Sequence, residues 1–174
     1  HHRPTRAFVP PTALRQMRHL HPTGRRDVAL ISAGTGGETV SPDLMAWGDD
    51  VMGAHLNEAF GQTECNMIVG NSAAVMPVRL GSMGRAMPGH DVAIVDEHGT
   101  VQAETGIVAV RRGDPVMFKE YWNDPDATRA KFAGDWMLTG DIARRDADGY
   151  LYYVGRNDDV INTAGYRVGP SEIE

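Results

Sequence analysis

Near residue 80 the sequence changes texture, and this change constrains the fold more than any other feature. Before it, short apolar runs alternate with helix signals. "RAFVP" is followed by "PTALRQMRHL", where Pro11 suits a first helical turn and Leu14, Met17 and Leu20 recur on one face. "DVALISAG" then reads as a buried strand ending in the glycine-rich "AGTGGETV". Ser41-Pro42-Asp43 supplies a cap, a first-turn proline and an N-terminal acid to a second helix running through Met45, Trp47 and Val51. "AHLNEAF" reads as the next strand and leads into "GQTE". Strands alternating with helices predict an α/β layer with a parallel sheet.

Beyond residue 80, turn signals recur at short intervals. "DVAIVDEHGTVQ" reads as a strand, a turn around Glu97 to Gly99 and a returning strand. "TGIVAVRR", "DWMLTGDIARRD" and "YLYYVGR" read as further strands, with a hairpin turn through Asp148-Gly149 and one helix at "DPDATRAKF". The fold class expected is α/β: a partial parallel-sheet layer over 1–80, followed by a small antiparallel, β-barrel-like subdomain over 81–155. A polar, glycine-containing segment closes the chain from 156 to 174.

Charge and composition narrow the partners. With 41% hydrophobic residues and a net charge of −6, the chain has enough apolar material for a core. It has no basic face beyond the arginines of its first 26 residues, so nucleic acid is not an expected partner. A membrane is not expected either, since no apolar run approaches roughly 18 residues. Cys65 is the single cysteine, which excludes an internal disulfide, points to the cytoplasm, and is expected to be packed rather than nucleophilic. The seven histidines form no "HxxxH" pair, which argues against a zinc enzyme; no function is placed on His1 and His2. The closing "SEIE", with Ser171 and Glu174 in capping-box spacing, looks like a helix start, so the chain is expected to be a truncated piece. The apolar edge of a cut sheet would favour self-association into a homo-oligomer.

In open α/β sheets ligands bind at the carboxyl ends of strands, and both "GTGGET" and "GQTE" are expected there. Glycine-rich loops bring backbone amides close to an anion or a flat base. Thr63 can donate to a phosphate oxygen, and an ionised Glu64 is a hard ligand suited to Mg2+. Each stretch reads equally as a plain loop or a strand-end turn. Asp141 in "TGD" can accept from both hydroxyls of a ribose diol, or can simply cap a turn. Arg156 and Arg167 flank the polar centre of the last segment and suit a phosphate or ribose, although exposed arginines are commonly just solvated.

In this order, "GGET", "FGQTE", "LGSMGRAMPGHDVAIVD" and "DWMLTGDIARRDADGYLYYVGRNDDVINTAGYRVGPSEIE" resemble successive signatures of the adenylate-forming superfamily, the acyl-CoA synthetases and their relatives. The resemblance covers nearly the whole chain, and the last stretch is the most specific. It implies a two-step reaction: a carboxylate attacks the α-phosphate of Mg-ATP to give an acyl-adenylate and pyrophosphate, and coenzyme A then displaces AMP. By the same resemblance, Gly37, Glu38 and Thr39 lie along the adenine, and Glu58, Ala59, Phe60, Gly61 and Gln62 wall the nucleotide and acyl pocket. Thr63 contacts the α-phosphate, Glu64 the magnesium. Asp141 takes the ribose hydroxyls with help from Arg156, and Arg167 approaches the nucleotide phosphate. Asp158 matches the hinge of a C-terminal domain that starts in 156–174, and Gly165 leaves room for the pantetheine arm.

Within the family the closing stretch looks like the acetyl and medium-chain group. Acetate-specific relatives carry a tryptophan where this chain has Gly61, so an acid longer than acetate, medium-chain or aromatic, is expected. Two departures matter. The family's phosphate loop and its C-terminal catalytic lysine are not found in these residues, so this chain alone is expected to be inactive. "AETGIV" at 103–108 stands where relatives read "GExGEI". The alternative reading is a nucleotide-binding module without catalysis, or a truncated gene product.

Overall fold

The structure is a computed structural model, and it describes residues 3–20, 29–38, 40–157, 161–163 and 166–168. Its first half is the expected strand and helix alternation: β1 (Arg6–Phe8), α1 (Pro11–Leu20), β2 (Ser32–Gly36), α2 (Pro42–Met52) and β3 (Leu56–Gln62). β1, β2 and β3 pair in parallel, while β4 (Asn66–Gly70) and β5 (Arg85–Ala86) return antiparallel, giving one mixed sheet in the order β1-β2-β3-β4-β5. Both helices pack on the same face of this sheet, where Leu14, Leu44, Val51 and Leu56 are almost fully buried. Burial of each such side chain stabilises the layer by roughly 1.5–3 kcal/mol.

Local chemistry sets the helix ends. α2 starts at Ser41-Pro42 as expected, but the Ser41 hydroxyl does not cap it. The serine bonds instead to the Asp43 carboxylate, which, with Arg18 as second partner, is held down to about 2. Gly53 ends the helix in the left-handed region, at φ 66°, and its N–H bonds to Asp49 O at 3.0 Å.

The second strand differs from expectation. It runs over Ser32–Gly36, overlapping the end of the expected strand "DVALISAG" and continuing into the glycine-rich stretch, while Leu30 and Ile31 precede it. Close approach is the reason: a Cβ on Gly36 would meet Ala59 O at 2.2 Å, and one on Gly34 would meet the Phe8 ring at 3.0 Å. Glycine here is strand packing as well as loop chemistry.

The second half forms an antiparallel sheet in the order β10-β9-β7-β6, from β6 (Val92–Val95), β7 (Thr105–Arg111), β9 (Trp136–Arg145) and β10 (Leu151–Arg156). α3 (Pro125–Ala130) and β8 (Phe132–Ala133), which pairs with β9, sit between β7 and β9. After β6 the expected returning strand is reduced to a single bridge, Val95 to Val101. The Asp96 carboxylate holds that turn by accepting the His98 and Thr100 N–H groups, each at 2.9 Å. In the β9–β10 hairpin, Asp146 Oδ1 accepts from Asp148 N–H and Tyr150 N–H in the same way. A short hairpin, β11 (Ile161–Thr163) with β12 (Tyr166–Val168), follows.

The change of texture near residue 80 is not a gap in packing. Ile68 and Val69 of the first sheet share one core with Ile94, Val108 and Met137 of the second. Gly84 bridges to Leu151 at φ 96°, and a Cβ there would stand 2.0 Å from the Gly70 carbonyl, so no other residue fits without moving backbone. Among the described residues no helix is long and apolar enough to cross a membrane.

Candidate functional site

Where the carboxyl ends of β2 and β3 meet the second sheet, a cleft of about 360 Å³ opens. Gly37 and Glu38 line it from the β2 end; Glu58, Ala59, Phe60 and Gly61 line it from β3. Gly81 and Met83 close one side, and Asp141, Tyr153 and Arg156 come from β9 and β10. Residues about 80 positions apart thus share one cavity because β3 ends against the β9–β10 pair.

Glu58 is 7% exposed. Burial pushes its carboxyl up to about 7, opposed only by a bond from the Val40 backbone. It sits in register with Thr35, whose buried hydroxyl finds no partner among the described residues. Glu38 is held differently: Thr12 Oγ1 donates to it at 2.6 Å and Arg15 at 2.7 Å, and these bonds keep its carboxyl below the usual range.

Asp141, also 7% exposed, lies opposite Arg156 on the β9–β10 ladder. Gly140 precedes it in the left-handed region, at φ 82°, where a side chain would press on the Arg156 guanidinium at 3.3 Å. Gln62 Nε2 donates to Asp141 Oδ2 at 3.0 Å and to Thr139 O at 3.1 Å; Arg156 approaches Oδ1 at 3.4 Å. Burial raises the Asp141 carboxyl, while Arg156, Gln62 and Lys131 oppose that rise.

The "QTE" stretch divides between strand and turn. Gly61 and Gln62 belong to β3, and Thr63 to Cys65 form the turn back to β4, closed by Cys65 N–H to Gln62 O at 3.1 Å. Thr63 is exposed, and Cys65 is fully buried as expected. Glu64 is pinned twice: the Tyr121 hydroxyl donates to its carboxylate, and Phe118 N–H donates to its backbone oxygen at 2.7 Å. Burial works to raise the Glu64 carboxyl, but the Tyr121 bond, its own backbone and the cations Lys131 and Arg156 outweigh it, leaving a net lowering.

The structure therefore gathers Gly37, Glu38, Glu58 to Gly61, Asp141 and Arg156 around one cavity, and ties Gln62 to it through Asp141. Thr63 and Glu64 stand in the adjoining turn, outside the lining. Thr39, Asp158 and Gly165 lie outside the described residues, and of Arg167 only its backbone place, opposite Asn162 on β12, is described. Sequence reasoning missed Tyr121, Lys131, Met83 and Tyr153. No local pattern marks them, because their partners lie on other elements. Among the described residues no group of three or more His, Cys, Asp or Glu side chains assembles, so no all-protein metal cage is offered.

A family model described as AMP-binding enzyme matches residues 1–122. The mitochondrial acyl-coenzyme A synthetase ACSM5 of Homo sapiens is 44% identical over 145 residues, which cover 80% of this chain and 25% of that protein. The uncharacterized acyl-CoA ligase YtcI of Bacillus subtilis (strain 168) is 38% identical over 167 residues, covering 94% of this chain and 31% of that protein. The solved anthranilate CoA ligase AuaEII in complex with anthranoyl-AMP superposes with a TM-score of 0.87 at 28% identity, over 98% of this chain and 33% of that one. The chain thus spans about a third or less of the length of these relatives.

Proposed function

The chain belongs to the family of AMP-binding enzymes, and from that premise we propose that it forms part of the nucleotide and acyl site of an acyl-CoA synthetase. One observation carries the reading: a buried carboxylate, Asp141, with Arg156 beside it, faces the strand-end cavity walled by Glu58 to Gly61. Such a carboxylate can accept two hydroxyls from a ribose diol. The partly glycine-lined wall between Gly37 and Gly61 suits a purine, and the side toward Met83 and Tyr153 suits an acyl or aryl group.

In the first half-reaction a carboxylate oxygen of the acid attacks the α-phosphorus of ATP, the bond to the bridging oxygen breaks, and pyrophosphate leaves. In the second, the thiol of coenzyme A attacks the acyl carbonyl, loses its proton, and AMP departs. The contribution of these residues is positional: Asp141 and Arg156 hold the ribose, and the β3 end brings the acid carboxylate toward phosphorus. Thr63 donates to the α-phosphate, where charge accumulates.

Glu64 fits magnesium. It is an ionised, hard oxygen donor fixed by a hydroxyl, and Mg2+ is commonly held by one or two carboxylates together with substrate phosphates. Glu64 would hold the ion, which when bound would supply charge neutralisation to the nucleotide phosphates. We further propose the division near residue 80, the hinge at Asp158, the pantetheine passage at Gly165, a phosphate contact for Arg167, an adenine contact for Thr39, and an acid longer than acetate. Localisation in the cytoplasm and a homo-oligomer belong to the same proposal.

Pyrophosphate release by the full-length gene product, measured with acetate, butyrate, octanoate and benzoate, tests this. Release that depends on ATP and an acid, and is faster with the longer or aromatic acids, is expected. Nucleotide binding without release under any acid would favour a non-catalytic module instead.

A further inference from the structure

Lys131 follows α3, on a segment for which neither the motifs nor the proposed chemistry assigns a role. Its ammonium nevertheless reaches across to the end of β3. Nζ lies 3.3 Å from Gln62 Oε1, 3.4 Å from Thr139 O and 3.5 Å from Leu138 O. The backbone beside it is fixed, since Leu138 N–H donates to Lys131 O at 2.8 Å.

These contacts determine which way the Gln62 amide points. An ammonium only donates, while an ionised carboxylate and a carbonyl only accept. With Lys131 on one side and the Asp141 carboxylate on the other, and Thr139 O accepting from both Lys131 Nζ and Gln62 Nε2, Gln62 must turn Oε1 to the lysine and Nε2 to the aspartate. Flipping the amide would set NH2 against ammonium and oxygen against carboxylate. The amide thus passes the lysine's orientation on to one oxygen of Asp141.

We propose that Lys131 is a positioning residue of the nucleotide site: acting through Gln62, it sets the orientation of the Asp141 carboxylate that the ribose diol meets. This rests on the functional reading above for the ligand, but not for the linkage. Of the charged groups around Asp141, Arg156 from β10 and Lys131 from the α3 side favour its ionised form, with the neutral Gln62 between; Glu38 and Glu58 line the same cavity, and Glu64 at the β3 end meets the same two cations. Removing the lysine charge takes away one of the two cations that favour ionised Asp141. It also frees the Gln62 amide to rotate.

Two readouts test this. In carbon- and nitrogen-detected NMR of the full-length gene product without nucleotide, Lys131→Met is expected to raise the Asp141 titration midpoint by several tenths of a pH unit. It should also shift or broaden the Gln62 side-chain amide, while Lys131→Arg keeps both near wild type. An unchanged Asp141 midpoint and Gln62 amide in a folded Lys131→Met protein overturns the linkage, whatever the enzyme does. In turnover, Lys131→Met is expected to raise the KM for ATP about tenfold with a smaller change in kcat, and Lys131→Arg to recover most of the loss. A shifted midpoint with unchanged KM for ATP overturns the positioning role. Absence of ATP-dependent turnover in the wild type would count against the functional reading, leaving the NMR result to judge Lys131.

Discussion

Tyr121 donates its hydroxyl to the Glu64 carboxylate across 57 positions, fixing the one acid proposed to meet magnesium. Burial and the adjacent Glu64 push the phenol up to about 12, so it stays a protonated donor throughout the neutral range. Removing an outer partner of a metal-binding carboxylate typically weakens metal affinity about 10- to 100-fold. Tyr121→Phe in the full-length gene product should therefore raise the Mg2+ concentration for half-maximal pyrophosphate release by about tenfold. A magnesium titration that superposes on wild type would remove Glu64 from the metal's surroundings.

Glu58 ties the cleft to the stability of the chain. Its carboxyl holds a proton to about pH 7 when folded, against a usual value of 4.5. The folded chain therefore binds more protons than the unfolded chain between these limits. Stability is greatest below the unfolded value, falls as pH rises from about 4.5 to about 7, and is constant beyond, with a total loss of roughly 3 kcal/mol. Glu58→Gln keeps the shape without the charge. Urea unfolding at about pH 5 and about pH 8 should show the wild type losing stability at the higher pH through this group, and the variant losing less. Equal pH dependence in the two proteins would mean that Glu58 is solvated in the folded chain.

Gly61 has a physical role besides the open acyl side proposed for it. A Cβ there would stand 1.7 Å from Asn66 O and 2.6 Å from Asn66 C, both backbone atoms, where β3 bulges against β4. Gly61→Ala should therefore destabilise the chain by about 3 kcal/mol, the upper range for overpacking a closed site. Thermal unfolding of the variant checks this, and an unchanged midpoint would show that the hairpin opens freely. Hairpin geometry alone thus calls for glycine at this position.

How much of this was legible in the sequence depends on the range of the forces involved. α1 and α2 were legible from the prolines at their first turns, and α2 also from Met45, Trp47 and Val51, which are buried; in α1 only Leu14 of the expected face is buried, while Met17 and Leu20 are exposed. β2 was displaced because Gly34 and Gly36 are strand residues only by virtue of Phe8 and Ala59 on neighbouring strands. The motif resemblance singled out Glu58, Gly61, Asp141 and Arg156, and these do share a cavity. Tyr121 and Lys131 were invisible for a different reason. Their bonds span 57 and 69 positions, and nothing near either residue in sequence reveals its partner.

One binding comparison tests directly whether Asp141 is the acceptor of a ribose diol. The full-length gene product is titrated calorimetrically with a non-hydrolysable acyl-adenylate analogue and with its 2′,3′-dideoxy counterpart, in wild type and in Asp141→Asn. Hydrogen bonds to a charged group contribute about 1.5–3 kcal/mol, so losing the diol should weaken wild-type binding about 10- to 150-fold. The variant should bind the diol-bearing analogue correspondingly worse and discriminate little between the two. Equal affinity of wild type for both analogues would contradict the assignment of Asp141 to the ribose.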